Sequence, residues 1–324
     1  MASLAFNRRW YQVLPVDGAV YEDPARAGSV FWNEGKWRTF VEPLLPADRR
    51  DRDVFLDIGC NAGLFLHCAG EAGFRRAIGV ERSKHYVEQA AIYRQQLPGA
   101  AFVVRRATVG EFDPATLPLS DVVLIANAHY YFKIPAFVDL LDALRVRTRH
   151  LIVVSAVARR RHGCPAYDLS SVRGYCRDWT ETGAVMDVPV DADPARRDGM
   201  FSVRFDGVLK SFDVEPLYDT WYKAKIQSKT RKEWRDLAAA LPAFLSGEDE
   251  EPMIAYLRTH REWLKDADRR AWLVAKRQLH QDLAADGQTR PIYVGARDGG
   301  IADGLTRLVS AHVLGWPRIY GRFV

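Results

Sequence analysis

A short segment rich in acid and glycine residues is the first place in this chain where ligand chemistry is expected. An apolar run, Val54–Ile58, carries Asp57 near its end and leads directly into Gly59 and Gly63. Glycine lets the backbone approach a ligand because it has no Cβ, and Asn61 between them tolerates a positive φ. The pattern predicts a strand, a tight turn and a helix, with a ligand outside the carboxyl end of the strand.

The spacing of this segment discriminates between two classes of ligand. A dinucleotide site has G-x-G-x-x-G, with a pyrophosphate on the helix N-terminus, whereas here the spacing is G-x-x-x-G and Asp57 precedes the first glycine. A carboxylate beside the loop suits a ligand with a positive group better than a pyrophosphate. Glu81 ends a second apolar run, where an acid accepts hydrogen bonds from both hydroxyls of a ribose.

Alternating strands and helices are predicted around these residues. The predicted strands are Val54–Ile58, Ala77–Val80, Phe102–Val104, Val122–Ala126, Leu151–Val154 and Ser202–Leu209, and the predicted helices are Gly63–Ala72, His85–Leu97 and Ala136–Leu144. The strands are continuous runs of Val, Ile and Leu, as expected when both faces of a sheet are covered. The fold class is therefore α/β, with a doubly wound, mostly parallel sheet.

The two motifs together, Asp57–Gly63 and Gly79–Glu81, resemble those of the class I S-adenosylmethionine-dependent methyltransferases. The resemblance covers about residues 30–155 and implies a seven-stranded, Rossmann-like sheet with S-adenosylmethionine as cofactor. It implies contacts to the methionine part near Asp57 and Gly59, and to the ribose at Glu81. Many members carry an acid after the third strand that meets the adenine amino group, and this chain has none there. Thr108, Glu111 or a backbone carbonyl are the candidates to replace it. The cofactor-binding residues expected on this basis are Asp57, Gly59, Cys60, Asn61, Gly63, Glu81, Thr108 and Asn127.

The resemblance also points to the loop after Val122–Ala126 as the catalytic region, since that loop faces the transferable methyl group in this family. The catalytic candidates are Asn127, His129, Tyr130 and Tyr131. Methyl transfer depends mainly on positioning, and His129 is the candidate general base because its reference pKa lies near neutral pH. Asn127–Tyr130 is similar to the N-P-P-Y motif of amino-group methyltransferases but lacks both prolines, so the accepting atom stays open.

The C-terminal part has a pattern of its own. Met253–Leu283 is predicted as one or two amphipathic helices, and residues 291–320 as strand, turn, helix and strand. Asp303-Gly304-Leu305-Thr306-Arg307 resembles the D-G-x-H-R core of the ParB/sulfiredoxin-like fold, whose members bind nucleotides or phosphate, although Thr306 replaces the histidine. Arg307 and the backbone amides near Gly304 are expected either to bind an anion or to serve structure alone.

Three parts are expected along the chain: an N-terminal helical preface at 1–53, an S-adenosylmethionine-binding domain at 54–215, and a helical and ParB-like module at 216–324. Residues 159–194 are expected to form a long, loop-rich excursion or a cover over the sheet edge. The resemblance implies that such a segment covers the acceptor pocket, and a structural cap is the alternative role for its aromatic and sulfur-bearing side chains. Those side chains are Tyr167, Tyr175, Cys176 and Trp179.

Composition limits the possible partners and compartment. The 324 residues include four cysteines without a C-x-x-C pair, so neither a disulfide framework nor a metal site is expected. No run approaches the length of a membrane span and the first residues do not resemble a signal peptide, so we expect a cytoplasmic protein. The net charge of +5 permits nucleic acid but does not favour it.

The sequence therefore favours S-adenosylmethionine-dependent methyl transfer to a small-molecule acceptor, in a biosynthetic pathway for example. Three alternatives stay open. The first is an RNA (tRNA) or DNA methyltransferase whose C-terminal module holds phosphates. The second is an enzyme that releases methylthioadenosine without methylation. The third is a nucleotide- or DNA-binding accessory protein. The sequence does not indicate an oligomeric state.

Overall fold

Two compact units make up the chain. A computed structural model describes residues 9–10, 20–21, 34–96, 102–107, 113–156, 168–188, 200–227, 232–262, 264–296 and 300–324. Unit 1 comprises Met1–Ala115 and Ser120–Val208, and unit 2 comprises Thr116–Leu119 and Leu209–Val324. The three-part division expected from the sequence stays a prediction.

Unit 1 contains nine strands and five α-helices among its described residues. The strands are β1 (Arg9–Trp10), β2 (Val20–Tyr21), β3 (Val54–Ile58), β4 (Arg76–Glu81), β5 (Phe102–Arg106), β6 (Ser120–Ala126), β7 (Thr148–Ala156), β8 (Thr180–Val188) and β9 (Met200–Asp206). The helices are α1 (Glu34–Phe40), α2 (Leu64–Glu71), α3 (Lys84–Gln96), α4 (Ile134–Arg145) and α5 (Leu169–Tyr175).

Seven of these strands form one sheet in the order β5-β4-β3-β6-β7-β9-β8. Strands β3 to β7 pair in parallel, and β9 runs antiparallel to both of its neighbours. The predicted α/β class with a mostly parallel, seven-stranded sheet is confirmed. Chain order reverses between β3 and β6, and in open α/β sheets the carboxyl ends of the strands at such a reversal are the usual place for a ligand.

The central strands are buried because helices cover the sheet. Every residue of β3 is buried, and α1 packs the rings of Trp37 and Phe40 into the same core as Phe55 and Phe65. The Trp37 ring meets the Phe55 ring edge-on at 5.6 Å between centroids. The preface helix is thus part of the unit 1 core.

The predicted loop-rich cover at 159–194 holds regular structure that the sequence analysis missed. Helix α5 and strand β8 lie within it, so the loop reading is wrong at residues 169–175 and 180–188. Strand β8 is an edge strand paired only through β9, and its side chains from Thr180 to Thr182 are exposed. An exposed edge strand lacks the apolar pattern on which strand prediction depends. Tyr167 lies outside the described residues.

Unit 2 is a smaller α+β module, as predicted. Its strands are β10 (Lys210–Asp213), β11 (Ile292–Val294), β12 (Ile301–Asp303) and β13 (Arg318–Phe323), in the order β10-β13-β11-β12. Its helices are α6 (Val214–Ile226), α7 (Lys232–Ser246), α8 (Glu251–His260), α9 (Asp266–Asp286) and α10 (Leu305–Val313). The predicted helical region Met253–Leu283 is two helices. Within the described part of the chain, no helix is both long and apolar enough to cross a membrane.

Candidate functional site

The loops after β3 and β6 meet at the carboxyl end of the sheet, and a glycine makes their close approach possible. Gly59 has a φ of +83°, and a Cβ placed on it would lie 2.7 Å from the Cβ of Ala128. An L side chain at position 59 would therefore suffer both an unfavourable φ and a steric clash. The glycine predicted from the sequence is required here by the packing of two loops as well as by backbone conformation.

Three residues of the β3–α2 turn adopt positive φ. Besides Gly59 these are Asn61, at 55°, and Gly63, at 93°. The Asn61 side chain accepts a hydrogen bond from the Ala62 amide at 2.7 Å, which closes the turn locally. Gly63 is the N-cap of α2 and lies beside the Phe102 ring. The turn therefore lifts its backbone toward the crevice without side chains in the way, as the glycine spacing predicted.

Glu81, at the end of β4, joins this turn to the next loop. One carboxylate oxygen accepts a hydrogen bond from the Asn61 amide at 2.9 Å, and the other accepts one from the Ser83 amide at 2.8 Å. A carboxylate oxygen accepts two hydrogen bonds, so each retains capacity for a ligand hydroxyl. Glu81 is thus both a ligand-binding candidate and the residue that fixes the shape of the turn.

A buried lysine and a buried aspartate lie side by side in the crevice. Lys36 of α1 is 4% exposed and Asp57 of β3 is 1% exposed. Burial lowers the pKa of Lys36 to about 8, against an opposing effect of Asp57. Burial also raises the pKa of Asp57 to about 8; the Glu81 carboxyl adds to the rise and Lys36 opposes it. Burial disfavours the charged form of each group, and the opposite charge of the other group favours it.

The opposite wall comes from the loop after β6. Asn127 has a φ of 52°, and its amide donates to the Val154 carbonyl at 2.8 Å. The rings of Tyr130 and Tyr131 lie 4.4 Å apart between centroids, and the guanidinium of Arg82 lies 5.1 Å from the Tyr131 ring centre. Tyr131 is 48% exposed. The mouth of the crevice is therefore aromatic, with one cation over it.

His129 does not line this crevice. Its side chain is fully buried, its Nε2 lies 3.4 Å from the Ser155 hydroxyl, and its ring packs near Phe137. Burial lowers the pKa of His129 to about 4. A general base must reach the proton that it removes, and a fully buried ring off the pocket wall does not. The role of base stays a prediction from the sequence, and the geometry favours a structural role.

The groups described above, apart from His129, surround one pocket of about 350 Å³. This volume is at the small end of the range for ligand sites. Its lining comprises Lys36, Asp57, Ile58, Gly59, Cys60, Asn61, Phe65, Val80, Glu81, Arg82, Ser83, Tyr86, Ala107, Ala126, Asn127, Ala128, Tyr130, Tyr131 and Phe132.

Most of the site residues named from the sequence meet at this pocket. Cys60 is among them, with a thiol whose pKa burial raises well above its usual value. Gly63 contributes only the start of α2, and Thr108 lies outside the described residues, as does Glu111. Among the described residues, no group of three or more His, Cys, Asp or Glu side chains could hold a metal ion.

The sequence analysis did not name several of the lining residues, among them Lys36, Arg82 and Tyr86. For Lys36 a signal was present in the sequence, because Lys36 and Phe40 are four residues apart on the face of α1 that also buries Trp37. A lysine on an apolar helix face is rarely buried without a partner. Nothing in the local sequence marked Arg82 or Tyr86.

Several solved structures are similar to part of this chain. An N-methyltransferase, NodS, from Bradyrhizobium japonicum is 20% identical, with 48% of this chain and 85% of that chain covered and a TM-score of 0.40. A magnesium protoporphyrin IX methyltransferase from Synechocystis, with bound SAH, is 13% identical over 47% of this chain and 73% of that chain, with a TM-score of 0.38.

A geranyl diphosphate methyltransferase in complex with GPP and sinefungin is 13% identical, with 61% of this chain and 89% of that chain covered and a TM-score of 0.45. Similarity at this level carries no argument about activity or substrate. No protein-family model matches the chain, and no curated protein matches it.

Proposed function

We propose that the chain is an S-adenosylmethionine-dependent methyltransferase that acts on a small-molecule acceptor. One observation carries the proposal: residues 57–61 of the glycine turn and the acid Glu81 line a single pocket at the point where strand order reverses. Ligands bind at such points in open α/β sheets. The loop after β6, with Asn127, supplies the facing wall of the same pocket.

The polar groups of the pocket fit the cofactor from one end to the other. The free capacity of the two Glu81 oxygens suits the adjacent hydroxyls of a ribose. Gly59 lines the pocket without a side chain, which suits close passage of the cofactor along the backbone. Lys36 and Asp57 suit a ligand end that carries both charges. Ala107 follows β5 and also lines the pocket, so it is the candidate contact for the adenine.

The cofactor supplies an activated methyl group on a sulfonium centre. The chain's own residues supply position and exclusion of water, which are the main requirements of an in-line displacement. Asn127, held by its backbone bond to Val154, fixes the β6 loop against the pocket. Tyr130 and Phe132, both on the pocket wall, supply rigid apolar surface that orients an acceptor.

A small acceptor is favoured over a macromolecule at this pocket. The space is about 350 Å³, and Tyr131 lines it with the Arg82 guanidinium over its ring. Release of methylthioadenosine without methylation would use the same pocket. Mass spectrometry of the incubated cofactor separates the two reactions, because only methyl transfer yields S-adenosylhomocysteine.

The proposal is tested by the affinity for S-adenosylhomocysteine, the product form of the cofactor. Glu81→Ala should weaken binding by about 1–3 kcal/mol, the range for lost hydrogen bonds to a charged group. Glu88→Ala on the exposed face of α3 is the matched control and should bind as the wild type does. Calorimetric titration that finds equal affinity in the wild type and Glu81→Ala would refute the assignment.

A second function, binding of a phosphate-bearing ligand by unit 2, has one observation in its favour. Burial lowers the pKa of both Arg307 and Lys276; Arg290 lowers the pKa of Arg307 further, and Arg307 lowers that of Lys276 further. Arg307 is 14% exposed and contacts Asp303 at 3.4 Å. Its Nε is buried, with no hydrogen-bond partner in the part of the chain that the structure describes. Clustered cations with unused donors favour an anion, which keeps a nucleic acid or nucleotide partner as the alternative.

A further inference from the structure

We propose that Lys36 is a ligand-binding residue: its ammonium receives the carboxylate of the ligand's amino-acid end, and Asp57 receives the α-ammonium. This assignment rests on the proposed function, because it names the part of the cofactor that one residue recognises. Binding would then give each of the two side chains an oppositely charged partner on the ligand.

The position of Lys36 is the first support. Helix α1 buries this side chain to 4% exposure, beside the fully buried Phe40. Burying an ammonium is costly unless a charge compensates it, so an apolar residue would serve packing better. Lys36 lines the same pocket as Asp57 and Glu81. Ligand binding in the pocket therefore explains a lysine at this position better than packing in the core does.

The balance of charge is the second support. Lys36 and Asp57 lie close enough for each to oppose the effect of burial on the other's pKa. A zwitterion adds no net charge, and it offers each of the two residues an opposite partner. A ligand with only an ammonium would leave Lys36 without its carboxylate, and one with only a carboxylate would face Asp57 and Glu81. The pair therefore selects an amino-acid end, by attraction to one form and repulsion of the others.

Two probes test the assignment. S-adenosylhomocysteine has the amino-acid end, whereas methylthioadenosine shares its adenosine and sulfur but lacks that end. Lys36→Met keeps an unbranched apolar stem of similar length. It should weaken S-adenosylhomocysteine binding about 10- to 100-fold in calorimetric titration, as expected for a lost charge-assisted hydrogen bond, and leave methylthioadenosine binding within about twofold. Lys84→Met on α3, 72% exposed, is the control and should change neither affinity.

A ligand-side comparison needs no variant and covers the case in which Lys36→Met fails to fold. Decarboxylated S-adenosylhomocysteine should bind the wild-type protein about 10- to 100-fold more weakly than the intact compound, as expected for the same lost charge-assisted hydrogen bond. In Lys36→Met, removal of the carboxylate should have little further effect, because interacting groups are non-additive.

The outcomes separate two failures. If the wild type binds neither S-adenosylhomocysteine nor methylthioadenosine, the proposed function is wrong. If the wild type binds S-adenosylhomocysteine and its decarboxylated form equally, the cofactor site stands and the role of Lys36 is wrong. The same conclusion follows if Lys36→Met weakens both probes to the same extent.

Discussion

At the scale of single residues, the burial of His129 predicts that the folded protein loses stability in acid. Its ring is fully buried, and burial lowers its pKa to about 4 from an ordinary value of 6.5. Between these values the unfolded chain binds a proton that the folded chain refuses, so stability falls as pH falls from about 6.5 to 4. A pKa difference of about 2.5 corresponds to about 3 kcal/mol.

We therefore expect the free energy of unfolding to fall by about 3 kcal/mol less in His129→Gln than in the wild type when the pH is lowered from 7 to 4. Urea unfolding at the two pH values measures this difference. His85→Gln on the surface of α3 serves as the control and should behave as the wild type does. If His129 is instead the base predicted from the sequence, His129→Gln will abolish the rise of the methylation rate between pH 6 and 8.

The residues of the pocket differ in how visible they are in the sequence. Asp57 and Glu81 were predictable because each follows a run of strand-forming residues at a characteristic distance from glycine. The burial of His129 was not predictable, because the direction of its ring depends on how the short turn after β6 packs on Phe137. The role of Lys36 needed the packing of α1 on the sheet.

At the scale of elements, the contact between the loops after β3 and β6 determines the shape of the crevice. Gly59→Ala would add a Cβ 2.7 Å from that of Ala128, and it would occupy an unfavourable φ that costs about 1–2 kcal/mol. Overpacking adds about 1–3 kcal/mol. We expect Gly59→Ala to lower the free energy of unfolding by about 2–5 kcal/mol.

The double variant Gly59→Ala with Ala128→Gly isolates the loop contact. It removes the clash but not the φ strain. The double variant should therefore lose less free energy of unfolding than the sum of the losses in the two single variants. Chemical denaturation of the four proteins gives the coupling. Gly70→Ala in α2 is the control, since nothing lies within 4 Å of the added Cβ and Ala is the better helix former. Additive effects of the two substitutions would show that the loops do not meet as described.

Elements were predicted well where apolar pattern and burial coincide. Strands β3, β4 and β6 were found nearly to their ends, because their buried residues form continuous apolar runs. Strand β8 and helix α5 were missed because exposed polar residues dominate them. The order of the seven strands was beyond reach, since pairing between β7 and β9 joins residues far apart in the sequence.

At the scale of the whole molecule, the chain presents a separate candidate site in each unit. The pocket of unit 1 suits a zwitterionic, ribose-bearing ligand. The cation cluster around Arg307 in unit 2 suits an anion. The net charge of +5 over 324 residues is small, so any anion binding must come from local clustering rather than from the total charge.

Hydrogen exchange with two probes tests both sites in the intact protein. S-adenosylhomocysteine at about 100 times its dissociation constant stabilises the bound form by about 2.7 kcal/mol. It should slow exchange about 100-fold in amides of unit 1 that open by global unfolding, such as those of β3 and β4. Inorganic pyrophosphate should slow exchange in the first turn of α10, next to Arg307.

Variants assign each protection to its site. Glu81→Ala should reduce the effect of S-adenosylhomocysteine and keep that of pyrophosphate, whereas Arg307→Gln should reduce the effect of pyrophosphate and keep that of S-adenosylhomocysteine. Pyrophosphate protection should also weaken as salt rises, because other anions compete for exposed cations. If pyrophosphate protects no amide of α10, or if its effect survives Arg307→Gln, the cluster is structural. The nucleic-acid alternative then loses the observation in its favour.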